Sequence, residues 1–169
     1  NEFAAILEWL GKNREAFLER TVNGATYTRA FMQPERLILL GAGHVSQATA
    51  EFAAKLDFAV TVADDRLAFA NRARFPDAEE IVCDEFRRAI RDLNIHPRDY
   101  VCVLTRGHRW DADCLRTILP GEMPFYLGMI GSRRRVAGLL KMLEEEGYSR
   151  ERLSHICTPI GLKIGSVTP

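Results

Sequence analysis

Short, wholly apolar runs alternate with amphipathic segments along most of the chain, from about residue 34 onward. Such apolar runs are typical of strands that are covered on both faces of a parallel sheet, and apolar residues spaced three and four apart are typical of helices. The predicted strands are 37–40, 58–62, 80–83, 100–104 and 125–130. The predicted helices are 45–56, 66–73, 85–93, 111–119 and 133–146, the last with Ser132 as its N-cap.

This alternation predicts an α/β fold with a doubly wound, Rossmann-like parallel sheet and right-handed crossovers. Ligands of such sheets bind beyond the carboxyl ends of the strands, at the point where the strand order reverses. In the usual order the first and fourth strands are neighbours across that point. We therefore expect the loops that follow these two strands to face one crevice.

The first 33 residues follow a different pattern and form a predicted N-terminal extension to a domain over 34–169. Apolar residues near helical spacing predict an amphipathic helix over 2–20, and the segment ATYTRAFM over 25–32 predicts a strand. The tail over 153–169 is rich in glycine and predicts irregular structure. The chain does not begin with Met, which fits a processed chain or a piece of a longer protein.

Charge and cysteine usage exclude several classes of function. Lys plus Arg equals Asp plus Glu, with 23 of each, so no net charge draws the chain to nucleic acid or to a membrane surface. No apolar run reaches the roughly 18 residues that a membrane-spanning helix needs. The four cysteines form no C-x-x-C pair, a usage typical of a reduced, cytoplasmic protein.

The strongest candidate site is the loop GAGHVS over 41–46, which lies between a predicted strand and a predicted helix. Gly41 permits a tight turn, Gly43 lets the backbone approach a phosphate, and the small Ser46 allows close packing of the helix. The phosphate would lie at the helix N-terminus. Asp64, about twenty residues further on at the next strand end, is placed to accept a ribose hydroxyl.

A second loop, TRGHRWD over 105–111, follows the fourth strand and adds Gly107, His108 and Asp111. If the two loops share a crevice, His108 faces His44. These histidines with Asp111 could bind a metal, transfer protons or hydrogen-bond an anionic ligand, and the sequence leaves all three roles open.

A third loop ends in Gly131, Ser132 and three consecutive arginines that open a helix. Positive charge at a helix N-terminus opposes the helix dipole, unless an anion or nearby carboxylates offset it. Consecutive residues are about 100° apart around a helix, so at most two of these arginines can face one ligand. We expect Ser132 and Arg133 to contact it.

Five segments in this order resemble the C-terminal Rossmann domain of xanthine dehydrogenase accessory proteins, the XdhC/CoxF family. They are LILLGAGHVSQ, TVADDR, RGHRWDADCL, YLGMIGSRRR and TPIGLKIG, and the resemblance covers about residues 34–169. It implies a maturation factor, rather than an enzyme, that binds the molybdenum cofactor (molybdopterin). The factor would protect this cofactor during sulfuration and assist its insertion. The implied partners are an apo molybdenum hydroxylase, a cysteine desulfurase and proteins of cofactor biosynthesis.

Two other interpretations of the same residues stay open. An NAD(P)-dependent oxidoreductase would use the same glycine loop and Asp64, with His108 as the proton donor. A nucleotide-binding, ligand-sensing or oligomerisation module would use residues 2–32 as a partner interface, and the amphipathic N-terminal helix fits a homodimer.

Overall fold

The computed structural model describes residues 2–13, 15–162 and 164–165. The chain divides into two compact units, residues 1–34 and residues 35–169. Each unit has its own secondary structure, and the larger one holds the loops that the sequence singles out.

The smaller unit is a helix followed by a β-hairpin. Its elements are α1 (Glu2–Asn13), β1 (Glu15–Val22) and β2 (Ala25–Met32). Asn23 and Gly24 both have positive φ, 52° and 80°, as the tight turn of an Asn-Gly hairpin requires. The predicted helix over 2–20 is therefore wrong beyond residue 13. The hairpin turn places residues 15–22 opposite the predicted strand and pairs the two along their whole length.

The larger unit is built on a six-stranded, wholly parallel sheet of order β5-β4-β3-β6-β7-β8. The strands are β3 (Arg36–Leu40), β4 (Ala59–Asp64), β5 (Glu80–Cys83), β6 (Tyr100–Val103), β7 (Tyr126–Met129) and β8 (Ile156–Cys157). The order reverses between β3 and β6. This confirms the predicted doubly wound α/β class and places the switch point beside the glycine loop.

Helices and a long connection cover both faces of this sheet. The helices are α2 (His44–Lys55), α3 (Phe86–Leu93), α4 (His108–Ile118), α5 (Arg133–Glu145) and α6 (Arg150–Ser154). One apolar core includes residues of α3, α4 and α5, and the other includes residues of α2 and the connection over 66–78. The strand β3 lies between them, and its Ile38, Leu39 and Leu40 are fully buried. Each contributes about 1.5–3 kcal/mol of hydrophobic free energy.

Two sequence predictions in this unit are wrong. The segment 66–73 forms turns rather than a helix, because Asp64 accepts the backbone N–H of Arg66 and Phe75 is buried in the sheet core. The tail is more regular than expected, since α6 precedes the short edge strand β8, which pairs with β7 through Leu127 and Ile156. In addition, α4 begins three residues before its predicted start.

Candidate functional site

The glycine loop turns sharply at Gly41, directly after β3. Gly41 has φ +110° and donates its N–H to the carbonyl of Ala63 at 2.7 Å. A Cβ at this position would lie 2.5 Å from the carbonyl oxygen of Leu104, at the end of the neighbouring strand β6. Only glycine satisfies both the backbone conformation and this close approach. The predicted role of Gly41 as the residue of the tight turn therefore has a specific structural cause.

Gly43 differs from Gly41 because nothing inside the protein requires a glycine there. It is the N-cap of α2 with φ −75°, which any residue adopts, and a Cβ would meet no atom within 4 Å. No side chain caps α2, and its first turn contains no acidic residue. The first N–H groups of the helix therefore have no side-chain cap, and an uncapped helix start of this kind can bind an anion.

Two further residues of this loop lie where the sequence suggested. Ser46 is fully buried and donates its hydroxyl to the carbonyl of Gly41, which fixes the start of α2 against the turn. His44 is exposed as the first residue of α2.

Asp64 holds the glycine loop rather than presenting a carboxylate to the crevice. It is 1% exposed, and its Oδ2 accepts the N–H of Ala42 at 2.8 Å. Arg66 donates to the same carboxylate from its backbone N–H and from two guanidinium nitrogens, at 2.8–3.0 Å. These four hydrogen bonds fill the usual acceptor sites of a carboxylate. The structure therefore gives Asp64 a different role from the predicted ribose contact, whose test requires a bound ligand.

The neighbouring Asp65 makes an ion pair that the sequence prediction missed. Arg106, in the loop after β6, donates to both oxygens of Asp65 at 2.5 and 2.9 Å. This bond lowers the pKa of Asp65, and the pair links the ends of β4 and β6 on either side of β3. Arg106 also lies 4.8 Å above the ring of Trp110. In the sequence, this ion pair could have been suspected only from the adjacent acids in ADDR and the arginine in TRGH.

The second loop also ends at a glycine N-cap, but the first turn of its helix contains the acidic Asp111. Gly107 is the N-cap of α4, no side chain caps the helix, and a Cβ at Gly107 would meet no atom within 4 Å. His108 opens α4, but its side chain lies outside the described part of the structure. Its predicted convergence with His44 therefore stays a prediction.

Asp111 is fully buried and ties the second loop to the third. Its Oδ1 accepts the hydroxyl of Thr105 at 2.5 Å, and its Oδ2 lies 3.3 Å from a guanidinium nitrogen of Arg135. Among the described residues, no group of three His, Cys, Asp or Glu side chains is placed to hold a metal ion. The structure gives Asp111 a positioning role, and its contact with a metal or ligand stays a prediction.

The third loop confirms one prediction and adds a residue that the sequence did not single out. Ser132 caps α5 by accepting the N–H of Arg135 at 3.3 Å, as predicted. Arg133 is exposed in the first turn of α5. Arg135 instead turns inward, donates to the carbonyl of Ile130 at 2.8 Å and pairs with Asp111. Gly131 leaves room for it, because a Cβ there would lie 3.2 Å from Nε of Arg135.

The four thiols differ in exposure. Cys102 and Cys114 are buried, and burial raises the pKa of Cys102 to about 11 and that of Cys114 well above its usual value. Cys83 and Cys157 are exposed, and Cys157 lies on the edge strand β8. Any thiol chemistry at neutral pH would therefore fall to the exposed pair.

These features define a Rossmann-type domain whose switch point has two helix N-termini that no side chain caps. Residues 37–169 match the family model described as the XdhC Rossmann domain, and the chain belongs to that family. This confirms the resemblance seen in the sequence.

Two curated relatives and one solved structure are similar to the chain. An uncharacterised protein, YqeB, of Escherichia coli (strain K12) is 36% identical over 140 residues, which are 82% of this chain and 25% of that protein. A probable xanthine dehydrogenase subunit of Bacillus subtilis (strain 168) is 30% identical over 134 residues, 79% of this chain and 38% of that protein. The chain thus spans well under half the length of either.

The solved structure is a xanthine dehydrogenase from Bacillus halodurans. It superposes with a TM-score of 0.71 at 28% sequence identity, over 95% of this chain and 44% of that one. Within the described residues, no helix is both long and apolar enough to cross a membrane.

Proposed function

We propose that this domain is the cofactor-holding part of an accessory factor for molybdenum hydroxylases of the xanthine dehydrogenase type. In this proposal it binds the molybdenum cofactor, protects it during sulfuration and assists its insertion into the apo-hydroxylase. The observation that carries the proposal is the pair of uncapped helix starts at Gly43 and Gly107, after neighbouring strands of the sheet. The names of the two Bacillus proteins support the connection to xanthine dehydrogenase.

The residues at this edge of the sheet fit a phosphate-bearing cofactor. A side chain at Gly43 or Gly107 would fill space that the protein itself leaves open. The N–H groups of these helix starts would bind the phosphate, with His44 and the exposed Arg133 beside them as further donors. When bound, the cofactor supplies the dithiolene-held metal that the hydroxylase later uses. This chain would hold and orient it and would exclude water from it.

The arrangement of Asp64 favours this proposal over an NAD(P)-dependent oxidoreductase. Recognition of an NAD ribose needs a carboxylate oxygen that is free to accept the hydroxyls. Both oxygens of Asp64 are already hydrogen-bonded to the loop and to Arg66. A nucleotide ribose would have to replace these bonds, whereas a phosphate at the helix start leaves them intact.

The partners in this proposal are the apo molybdenum hydroxylase, a cysteine desulfurase and proteins of cofactor biosynthesis. We place the factor in the cytoplasm, where reduced thiols such as those of Cys83 and Cys157 persist. A homodimer through residues 2–32 belongs to the same proposal. Its test is the mass in solution with and without that segment.

The test of cofactor binding uses the chain as it stands. It is mixed with molybdenum cofactor released from a molybdenum enzyme, and retained cofactor is measured after gel filtration. We expect binding that weakens at least about tenfold, or about 1.4 kcal/mol, in Gly43→Ala and in Arg133→Gln. Gly121→Ala is the matched control, because its added Cβ would make only an ordinary contact at 3.6 Å.

Two results would overturn the proposal. One is equal retention of the cofactor by Gly43→Ala and the unmodified chain. The other is tight binding of NADH or NADPH with hydride transfer to a small carbonyl compound, which would establish the oxidoreductase instead.

A further inference from the structure

A groove of about 680 Å³ runs between α4 and α5, and it begins where the second and third loops end, at Arg109 and Ser132. Its floor is apolar and includes Leu139, which is 6% exposed, and Met142. Its rim carries Arg109, Arg116 and Arg134. The groove takes no residue from the glycine loop or from the end of β4. Its volume falls within the usual range for small-molecule sites, roughly 300–1,000 Å³.

Gly138 lines this groove in the middle of α5, where a glycine is costly. A glycine inside a helix is about 1 kcal/mol less favourable than alanine. A Cβ at Gly138 would meet no atom within 4 Å, so the packing of this chain does not require the glycine. The position keeps the groove open, which is useful only if something outside the chain approaches the helix closely.

The end of the groove at the two helix starts carries two exposed arginines. Arg109 and Arg134 are both exposed and lie in the first turns of α4 and α5, where the helix dipoles are also positive. The first turn of α5 contains no acidic residue to offset this charge. The first turn of α4 contains Asp111, which Thr105 and Arg135 engage, so an anion placed between the two arginines would mainly offset the charge at the start of α5.

Ion pairs join α4 to α5 near both ends of the groove. Asp111 of α4 pairs with Arg135 of α5 at 3.3 Å, near the helix starts. Arg116 of α4 makes two bonds to Glu146, directly after α5, at 2.5 and 2.8 Å. A helix of a partner protein would need a groove that is open at both ends. The two ion pairs limit the length of this groove. The site therefore favours a small molecule over a protein segment.

We propose that the groove between α4 and α5 binds a phosphorylated planar heterocycle of mononucleotide size. Arg109 and Arg134 hold the phosphate, and the ring lies on the surface formed by Gly138, Leu139 and Met142. Met sulfur and an aromatic ring make favourable contacts, which suits this floor. The groove takes no residue from the glycine loop, although Ser132 of the third loop lines it, and the inference does not rest on cofactor binding.

The experiment titrates the purified chain with AMP and GMP by calorimetry, and with adenosine, guanosine and inorganic phosphate as partial ligands. We expect at least one mononucleotide to bind about tenfold more tightly than its nucleoside and than phosphate alone. Arg134→Gln should weaken that binding about tenfold, while Arg88→Gln, an exposed arginine on α3, should leave it unchanged.

Gly138→Leu separates binding from folding. Leucine favours the helix and should keep or raise the melting temperature, yet its side chain fills the groove and should abolish mononucleotide binding. Ala137→Leu is the matched control, because it adds a leucine at the neighbouring exposed position, outside the groove lining. Undiminished binding by Gly138→Leu would overturn the inference. So would binding of a glutamate-rich helical peptide in place of both mononucleotides.

Gly43→Ala distinguishes this inference from the proposed function. The variant should lose molybdenum cofactor and keep the mononucleotide. Loss of the mononucleotide in Gly43→Ala would place that ligand in the glycine loop and overturn the groove site alone.

Discussion

Replacing Gly41 by alanine should destabilise the larger unit by about 3 kcal/mol, while the same change at Gly43 should cost about 1 kcal/mol or less. At Gly41 the φ of +110° is strained for any L-residue, at about 1–3 kcal/mol. The new Cβ would also lie 2.5 Å from the carbonyl oxygen of Leu104 and 2.7 Å from its carbonyl carbon. Both are backbone atoms of the neighbouring strand end, so no rotamer change relieves the contact.

The strand end must therefore move by about 1 Å to reach an ordinary contact, at the cost of nearby backbone hydrogen bonds worth about 1 kcal/mol each. This movement would directly stretch the hydrogen bond from the N–H of Leu104 to the carbonyl of Leu40, which is 2.8 Å long. It joins β3 and β6 at the switch point. Gly43, with φ −75° and open space around its Cα, has neither problem.

The assay is urea unfolding followed by far-UV circular dichroism, with the melting temperature as a second measurement. A loss of 3 kcal/mol corresponds to roughly 10 °C for a domain of this size. If Gly41→Ala lost less than about 1 kcal/mol, or if Gly43→Ala lost as much, the argument that these two glycines serve different purposes would be refuted.

Two further predictions concern the pH dependence of the ion pair between Asp65 and Arg106 and the reactivity of the four thiols. Because the bond from Arg106 lowers the pKa of Asp65, the pair stabilises the fold above the unfolded pKa of about 4, and this stabilisation is lost as the pH falls through the lower folded pKa. Asp65→Asn should therefore be less stable than the unmodified chain at pH 7, by about 1 kcal/mol or less. The gap in urea midpoint should narrow as the pH falls below about 4, the usual pKa of an aspartate, and a constant gap would contradict this. For the thiols, Ellman's reagent should rapidly modify two cysteines per chain in the native protein and all four in guanidinium chloride. Rapid modification of all four in the native protein would show that the buried thiols are accessible. The exposed thiols are those of Cys83 and Cys157, and the buried thiols are those of Cys102 and Cys114.

Most of the larger unit could be predicted from the sequence because its elements follow local rules. The strand β3 is a wholly buried apolar run, and α5 has a serine cap that the structure confirms. The connection over 66–78 could not be predicted in this way. Its path depends on Phe75 packing into the sheet core and on the bond from Arg66 to Asp64, and both are tertiary contacts.

The glycine loop was predictable for a similar reason, whereas the polar contacts around it were not. Gly41 and Ser46 are five residues apart and act on one turn, so their pattern is visible along the chain. Asp65 and Arg106 are 41 residues apart, and only the pairing of β3 with both β4 and β6 brings them together. The sequence also favoured Arg133 over Arg135 as the arginine facing the site. The inward turn of Arg135 follows from the position of Asp111 on α4.

The two carboxylates that the sequence predicted to contact a ligand are instead bonded to groups of the protein itself. Asp64 neutralises Arg66 and holds the glycine loop, and Asp111 fixes Thr105 and Arg135. Once these acids are engaged inside the protein, the crevice is bordered by the N–H groups of two uncapped helices and by exposed arginine. A chain with no net charge thereby acquires a locally positive edge. Such an edge selects ligands by their negative charge, which is the property that a phosphate-bearing cofactor and a mononucleotide share.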